Sequence, residues 1–205
     1  MSDDVLHATS LDHLVPADAE VDETALAPLD LADLAHDVAA AAAQFISTVE
    51  AVASAATPDE SISILLLELS GLLSSGAPLS AIVDVVPPQR FEPDAGAEPD
   101  VDRLRARLRE LLGPADEYVE VFDPYSGPEV VSARLSDDLA DICADLLHGL
   151  AHHAAGRPLE ALWWWQFSYL STWGQGASAA LRALQSLVAH VRLEVPIDVE
   201  AEDAV

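Results

Sequence analysis

The sequence predicts an all-α fold, a single-domain bundle of about five to six antiparallel helices with acidic flexible tails. Three observations carry that expectation. Apolar residues fill 51% of the 205 positions, mostly alanine, leucine and valine, a composition that favours helix. Apolar positions recur every three or four residues along several long segments. Glycine is sparse, and with proline it punctuates those segments. The connections in the C-terminal part are short, which favours antiparallel neighbours. The expected organisation is an acidic disordered tail over 1–29, a helical domain over 30–194 with a loop at 76–99 and an irregular segment at 114–135, and a second acidic disordered tail over 195–205.

Residues 1–28 are acidic, proline-punctuated and without clear period. A first helix is expected to begin near Asp30, with Leu34, Val38, Ala41, Phe45, Val49 and Val52 on one apolar face. The alanine run 39–43 would let a neighbour approach closely. The second helix opens at Thr57-Pro58-Asp59-Glu60, which supplies a cap hydroxyl, a proline at the first helical position and a glutamate three residues after the cap. It is expected to stop at Gly76, just before Pro78. Prolines 78, 87, 88, 93 and 99 then mark loop.

A short helix is expected over Asp100–Leu112, ended by Gly113-Pro114. Tyr118–Phe122 reads equally as a strand or a helical turn, and Asp123–Pro128 as a turn. Ser136-Asp137-Asp138 starts a helix that runs to Gly156. Pro158 opens the next, which carries the aromatic residues. Gly174 and Gly176 are expected to separate it from a last helix, about Ala177 to Arg192, whose apolar face is Leu181, Leu184, Leu187, Val188 and Val191.

The net charge is −27, and there is no lysine: all nine basic residues are arginine, as in the codon usage of a GC-rich genome. The acid lies mainly in the termini and the middle, since residues 136–192 hold five acids against three arginines. Such charge repels nucleic acid and anionic membranes, so neither is an expected partner. It serves solubility, and it also suits a basic protein partner. One cysteine, Cys143, excludes an internal disulfide and a cysteine-rich zinc site. The acidic start Met-Ser-Asp-Asp is not that of a signal peptide. The low-charge stretch Val38–Val49 is too short to span a bilayer, so a cytoplasmic location is expected.

Two features invite a chemical reading. The run Trp163-Trp164-Trp165-Gln166-Phe167-Ser168-Tyr169, placed on a helix, puts Trp163, Phe167 and Leu170 on one side and Trp165, Tyr169 and Trp173 on an adjoining one. Both sides are expected to face core. Trp164 falls elsewhere, on the rim, as a candidate anchor for a partner. Gln166, inside the apolar arc, is a structural clamp or part of a pocket. With Ser168, Tyr169, Arg182 and His190 these form the candidate binding set.

The second feature is a stripe on the helix 136–155: Asp138, Asp141, Asp145, His148 and His152. The plain reading is a solvated face with Asp–His pairs. The alternative is a metal site of Asp141, Asp145, His148 and His152. Asp145-x-x-His148 and Asp33-x-x-His36 resemble the carboxylate–x–x–His units of di-iron bundles, with Glu68 and Glu160 as further ligands. No cofactor is otherwise expected. Arg103, Arg105, Arg107 and Arg109 are expected to pair at the surface with Asp100, Asp102 and Glu110. No nucleophile elbow and no phosphate-cradling glycine loop occurs.

The runs Ala161–Tyr169, Trp173-Gly174, Leu181–Ser186 and Ala189–Leu193 resemble an actinobacterial family, domain of unknown function 5063. Ser136–Ile142, His148–Leu150, Leu65–Glu68 and Val121–Tyr125 are similar to the same family, and the resemblance spans roughly residues 30–195. It implies one helical domain and brings no catalytic residues. The leading functional reading is a non-catalytic interaction or regulatory protein that uses the aromatic helix 158–173 and an acidic surface. A metal-binding enzyme or sensor is the alternative, and a nucleic-acid mimic a third.

Overall fold

The computed structural model describes residues 30–87, 96–121, 125, 127 and 129–193. The expected acidic tails lie outside the described residues. The described chain is mostly helical, with one small two-stranded sheet.

Helix α1 (Leu31–Ala55) is started by Asp30, whose carboxylate accepts from the Ala32 N–H at 2.8 Å. Its buried stripe is the expected one with Ala35, Ala39, Ala42 and Ile46 added; Ala41 is only half-buried. Helix α2 (Pro58–Ala81) begins with the expected capping box, in which Glu60 accepts from the Thr57 hydroxyl at 2.8 Å and from its backbone N–H at 3.4 Å. It does not stop at Gly76. A Cβ there would lie 2.5 Å from the Trp173 ring, so this glycine is a seat for an aromatic side chain inside the helix. Pro78 is tolerated in the last turn of the helix because Ser74, whose carbonyl it cannot reach, lies on the exposed side. Both helices are long and apolar enough to cross a membrane by length and composition alone. Here α1 packs on α2, α4 and α5, and α2 packs on α6.

Helix α3 (Asp102–Leu112) buries Leu108 and Leu112 and leads through a 3₁₀ turn, Gly113–Ala115, into a hairpin. The hairpin departs from the all-α expectation. Strand β1 (Glu117–Val121) pairs antiparallel with β2 (Val130–Arg134), in register from Glu117 opposite Arg134 to Val121 opposite Val130. Alternating exposure along β1, with Tyr118 and Glu120 turned inward, marks it as a half-covered strand.

Helix α4 (Leu135–Ala154) is capped from a distance. Asp116, buried in the turn before β1, accepts from the Ser136 N–H at 2.7 Å and hydroxyl at 2.8 Å. Arg105 and Arg109, one helical turn apart on α3, reach Asp137, and Arg105 also reaches Asp141 at 2.8 Å. The two arginines therefore fasten α3 to α4 rather than pairing with their own helix.

Helix α5 (Pro158–Ser168) passes without a break through a π-turn (Tyr169–Trp173) into α6 (Gly174–Leu193). Gly174 and Gly176 do not interrupt the run, contrary to expectation. The core holds Phe45, Leu65, Leu69, Leu139, Ile142, Leu146, Leu162, Trp165, Trp173 and Leu184. Trp165 sits in a socket on α4: any Cβ at Gly149 would overlap its indole ring, and its Nε1–H donates to the Leu146 carbonyl at 3.2 Å.

Candidate functional site

The α5 residues of interest are set by which side of the helix meets α4. Glu160, Trp164 and Ser168, four residues apart, form the side turned to α4. Glu160 is buried because it is paired: its Oε2 lies 2.9 Å from His152 Nδ1 and accepts from Arg157 Nη1 at 2.7 Å. A carboxylate is retained at such a place only with partners of this kind.

Trp164 lies over α4 beside both stripe histidines. Its ring stacks on His148 at 5.6 Å and on His152 at 6.4 Å, and meets Trp163 edge-on at 5.0 Å. The side chain is half-buried, and its Nε1–H is buried with no hydrogen-bond partner among the described residues. Trp164 is thus a packing residue at the rim, not a free-standing anchor. It joins the candidate binding set to two members of the candidate metal set.

Gln166 is a clamp. Its amide nitrogen donates to the carbonyls of Leu79 at 3.0 Å and Val83 at 3.3 Å, and its oxygen accepts from the Val85 N–H at 2.8 Å. It ties the chain leaving α2 to α5. Ser168 is buried and donates to the Trp164 carbonyl. Tyr169 is half-buried against Trp173 at 4.8 Å. Arg182 is exposed and His190 half-buried on α6. Gln166 and Ser168 therefore cannot meet a partner directly.

The arc expected to face core on the other side of α5 is open instead. Phe167 and Leu170 are each 53% exposed, and Trp163 is half-buried. Trp163 and Phe167 stack at 5.4 Å with planes 2° apart. Leu162 and Trp165 take the core side of the helix and Glu160, Trp164 and Ser168 the side against α4, which leaves 163, 167 and 170 outward.

The proposed metal ligands do not converge. Asp141 takes Arg105, Asp145 takes the Thr172 hydroxyl, His152 faces Glu160, and His148 lies on Trp164. Asp33 and His36 are exposed on α1, with the His36 ring 6.2 Å from that of His153, and Glu68 is half-buried on α2. Among the described residues no three His, Cys, Asp or Glu side chains come together to hold a metal ion.

Two carboxyls of the stripe are nonetheless unusual. Burial pushes Asp138 up to about 7, against the opposing hydrogen bond from the Tyr118 hydroxyl at 2.8 Å. Burial also raises Asp145, with the Thr172 bond and His148 opposing. Tyr118 itself is raised by burial and by Asp138. Burial pushes the Cys143 thiol up to about 12, which leaves it an inert core group. The spacing of the stripe made its acids legible, while Asp116, Arg157 and Tyr118 carried no sequence signal because their partners lie in other elements.

Among curated proteins, none matches the chain. Of the solved structures, protein BF1032 from Bacteroides fragilis is similar in fold, with a TM-score of 0.60 and 19% identity over 83% of this chain and 95% of that one. The family model described as Domain of unknown function (DUF5063) matches residues 30–190, from the cap of α1 to the last turns of α6. With that match spanning all the helices, the chain belongs to the DUF5063 family.

Proposed function

We propose that this chain is a non-catalytic helical interaction or regulatory module that docks a basic protein segment on its aromatic helix. The observation that carries the reading is the open face of Trp163, Phe167 and Leu170. Large apolar side chains held in the open are typical of interaction hot spots. The stacked Trp163–Phe167 pair is already ordered, so docking costs it little conformational freedom. Val83, 88% exposed, and Val86, 61% exposed, belong to the segment that Gln166 holds beside this helix. The net charge of −27 draws a cationic occupant toward the chain at long range, while the face itself lies in the near-neutral stretch 136–192. In this reading the helices form an antiparallel bundle in the cytoplasm of an actinobacterium, a source that the arginine-only basic set supports.

Selection of random displayed peptides on the full chain tests the proposal. The expected winners carry Arg or Lys together with apolar residues at helical spacing, and Phe167→Ala or Leu170→Ala weakens them by about tenfold or more. Winners that are acidic or purely apolar, or that bind both variants as well as the wild type, overturn it. Self-association lost on Phe167→Ala, measured by sedimentation, also overturns it, because a second copy is then the occupant.

A further inference from the structure

The hydroxyl of Thr172 faces two oxygens. Its Oγ1 lies 3.0 Å from the carbonyl oxygen of Ser168, one turn back in its own helix, and in a short contact with Oδ2 of Asp145 on α4. A carbonyl oxygen can only accept. A carboxylate oxygen can only accept as well. Thr172 has one hydrogen to give, so an ionised Asp145 leaves one of the two contacts without a proton of its own. A neutral Asp145 resolves the arrangement: its O–H donates to Thr172 Oγ1, and the Thr172 hydroxyl donates to Ser168 in the helical back-bond common for threonine.

Burial favours the neutral acid. Asp145 is half-buried, and burial raises it. The titratable groups facing it are Asp141 and His148 on α4 and Glu98 in the segment before α3; the π-turn presents the Thr172 hydroxyl. Asp141 and Glu98 favour the neutral form, and the Thr172 bond and His148 oppose them, with burial the largest influence.

We propose that Asp145 is a proton-operated latch on the π-turn Tyr169–Trp173. As a neutral acid it donates to Thr172 and leaves the Ser168 carbonyl its hydroxyl partner. When its proton passes to solvent, the carboxylate takes the Thr172 hydrogen for itself and the Ser168 carbonyl loses that bond. A π-turn is a strained variant of the helix, so the loss of one supporting bond shifts its geometry. Leu170 belongs to the same turn, so the latch also alters the open apolar face. That last consequence alone rests on the docking proposal.

Carbon-13 NMR of the full-length protein over a range of pH tests the latch without reference to any partner. The Asp145 carboxyl carbon is expected to titrate above the ordinary aspartate range. The Ser168 carbonyl carbon and the Thr172 and Trp173 amides are expected to move with the same midpoint. Asp145→Asn, whose amide N–H replaces the acid proton, should hold those signals constant across that range. An ordinary carboxyl titration overturns the latch, and the wild-type carboxyl readout needs no variant to fold. Turn signals that follow the His148 ring instead of the Asp145 carboxyl, or an Asn variant that retains the wild-type curve, overturn it too.

Discussion

Gly149 has no side chain because the Trp165 indole occupies that space, and the same indole hydrogen-bonds Leu146 one turn earlier. A methyl group there forces the ring out of its socket. Gly149→Ala is expected to cost about 2 kcal/mol or more in denaturant unfolding, since an overpacked core has no slack to absorb it. Asp138 offers a different residue-scale test. Its carboxyl rises from 3.8 to about 7 in the fold, chiefly through burial. The folded protein therefore binds that proton more tightly than the unfolded chain does. Its contribution to stability is full below pH 3.8 and is lost as pH rises through about 7. Urea midpoints measured across that window should fall for the wild type and flatten for Asp138→Asn. A wild type and variant with parallel slopes would place the pH dependence elsewhere.

Elements were legible where their signals are local. The Asp30 cap and the Thr57–Glu60 box lie within a few residues of the turns that they close, so both helix starts could be read directly. Signals that depend on a distant partner misled. Gly76 reads as a stop until Trp173 is placed against it, and Gly174 reads as a break until the π-turn is known. The hairpin was ambiguous because five alternating residues fit a strand or a turn equally. On α5 the apolar pattern alone put Phe167 inside, but the side against α4 went to Glu160, paired with His152 and Arg157, and Phe167 was left out. Gln166 was recognisable as a buried amide, but its partners at Leu79, Val83 and Val85 were not. Gln166→Leu is expected to destabilise the protein by about 3 kcal/mol, because it strands one buried donor and two carbonyls. Amide exchange should show the protection lost first at Val85.

Over the whole molecule the acid is in excess almost everywhere, with −27 in all and only the 136–192 stretch close to neutral. Compact folding brings these charges together, and salt screens their repulsion. Raising NaCl from roughly 0.02 to 0.5 M is expected to stabilise the protein by about 1 kcal/mol, or about 3 °C in Tm. A Tm that falls with salt would mean that the ion pairs of Arg105 and Arg109 with Asp137 and Asp141 outweigh the repulsion.

The π-turn also sets the phase of the chain. Counted as an uninterrupted α-helix, the buried positions of α6 (Ala177, Ala180 and Leu184) would point about 80° away from those of α5 (Ala161, Leu162, Trp165, Gln166 and Ser168). The wider turn carries one extra residue, which restores the alignment and keeps both halves of the rod on the same core. Deleting one residue between Tyr169 and Trp173 would close the turn into plain α-helix and keep that alignment, whereas inserting one would rotate everything downstream by about 100° and turn Leu184 out of the core. The turn is thus a surplus of one residue that the rod can lose without changing phase, but to which it cannot add a second.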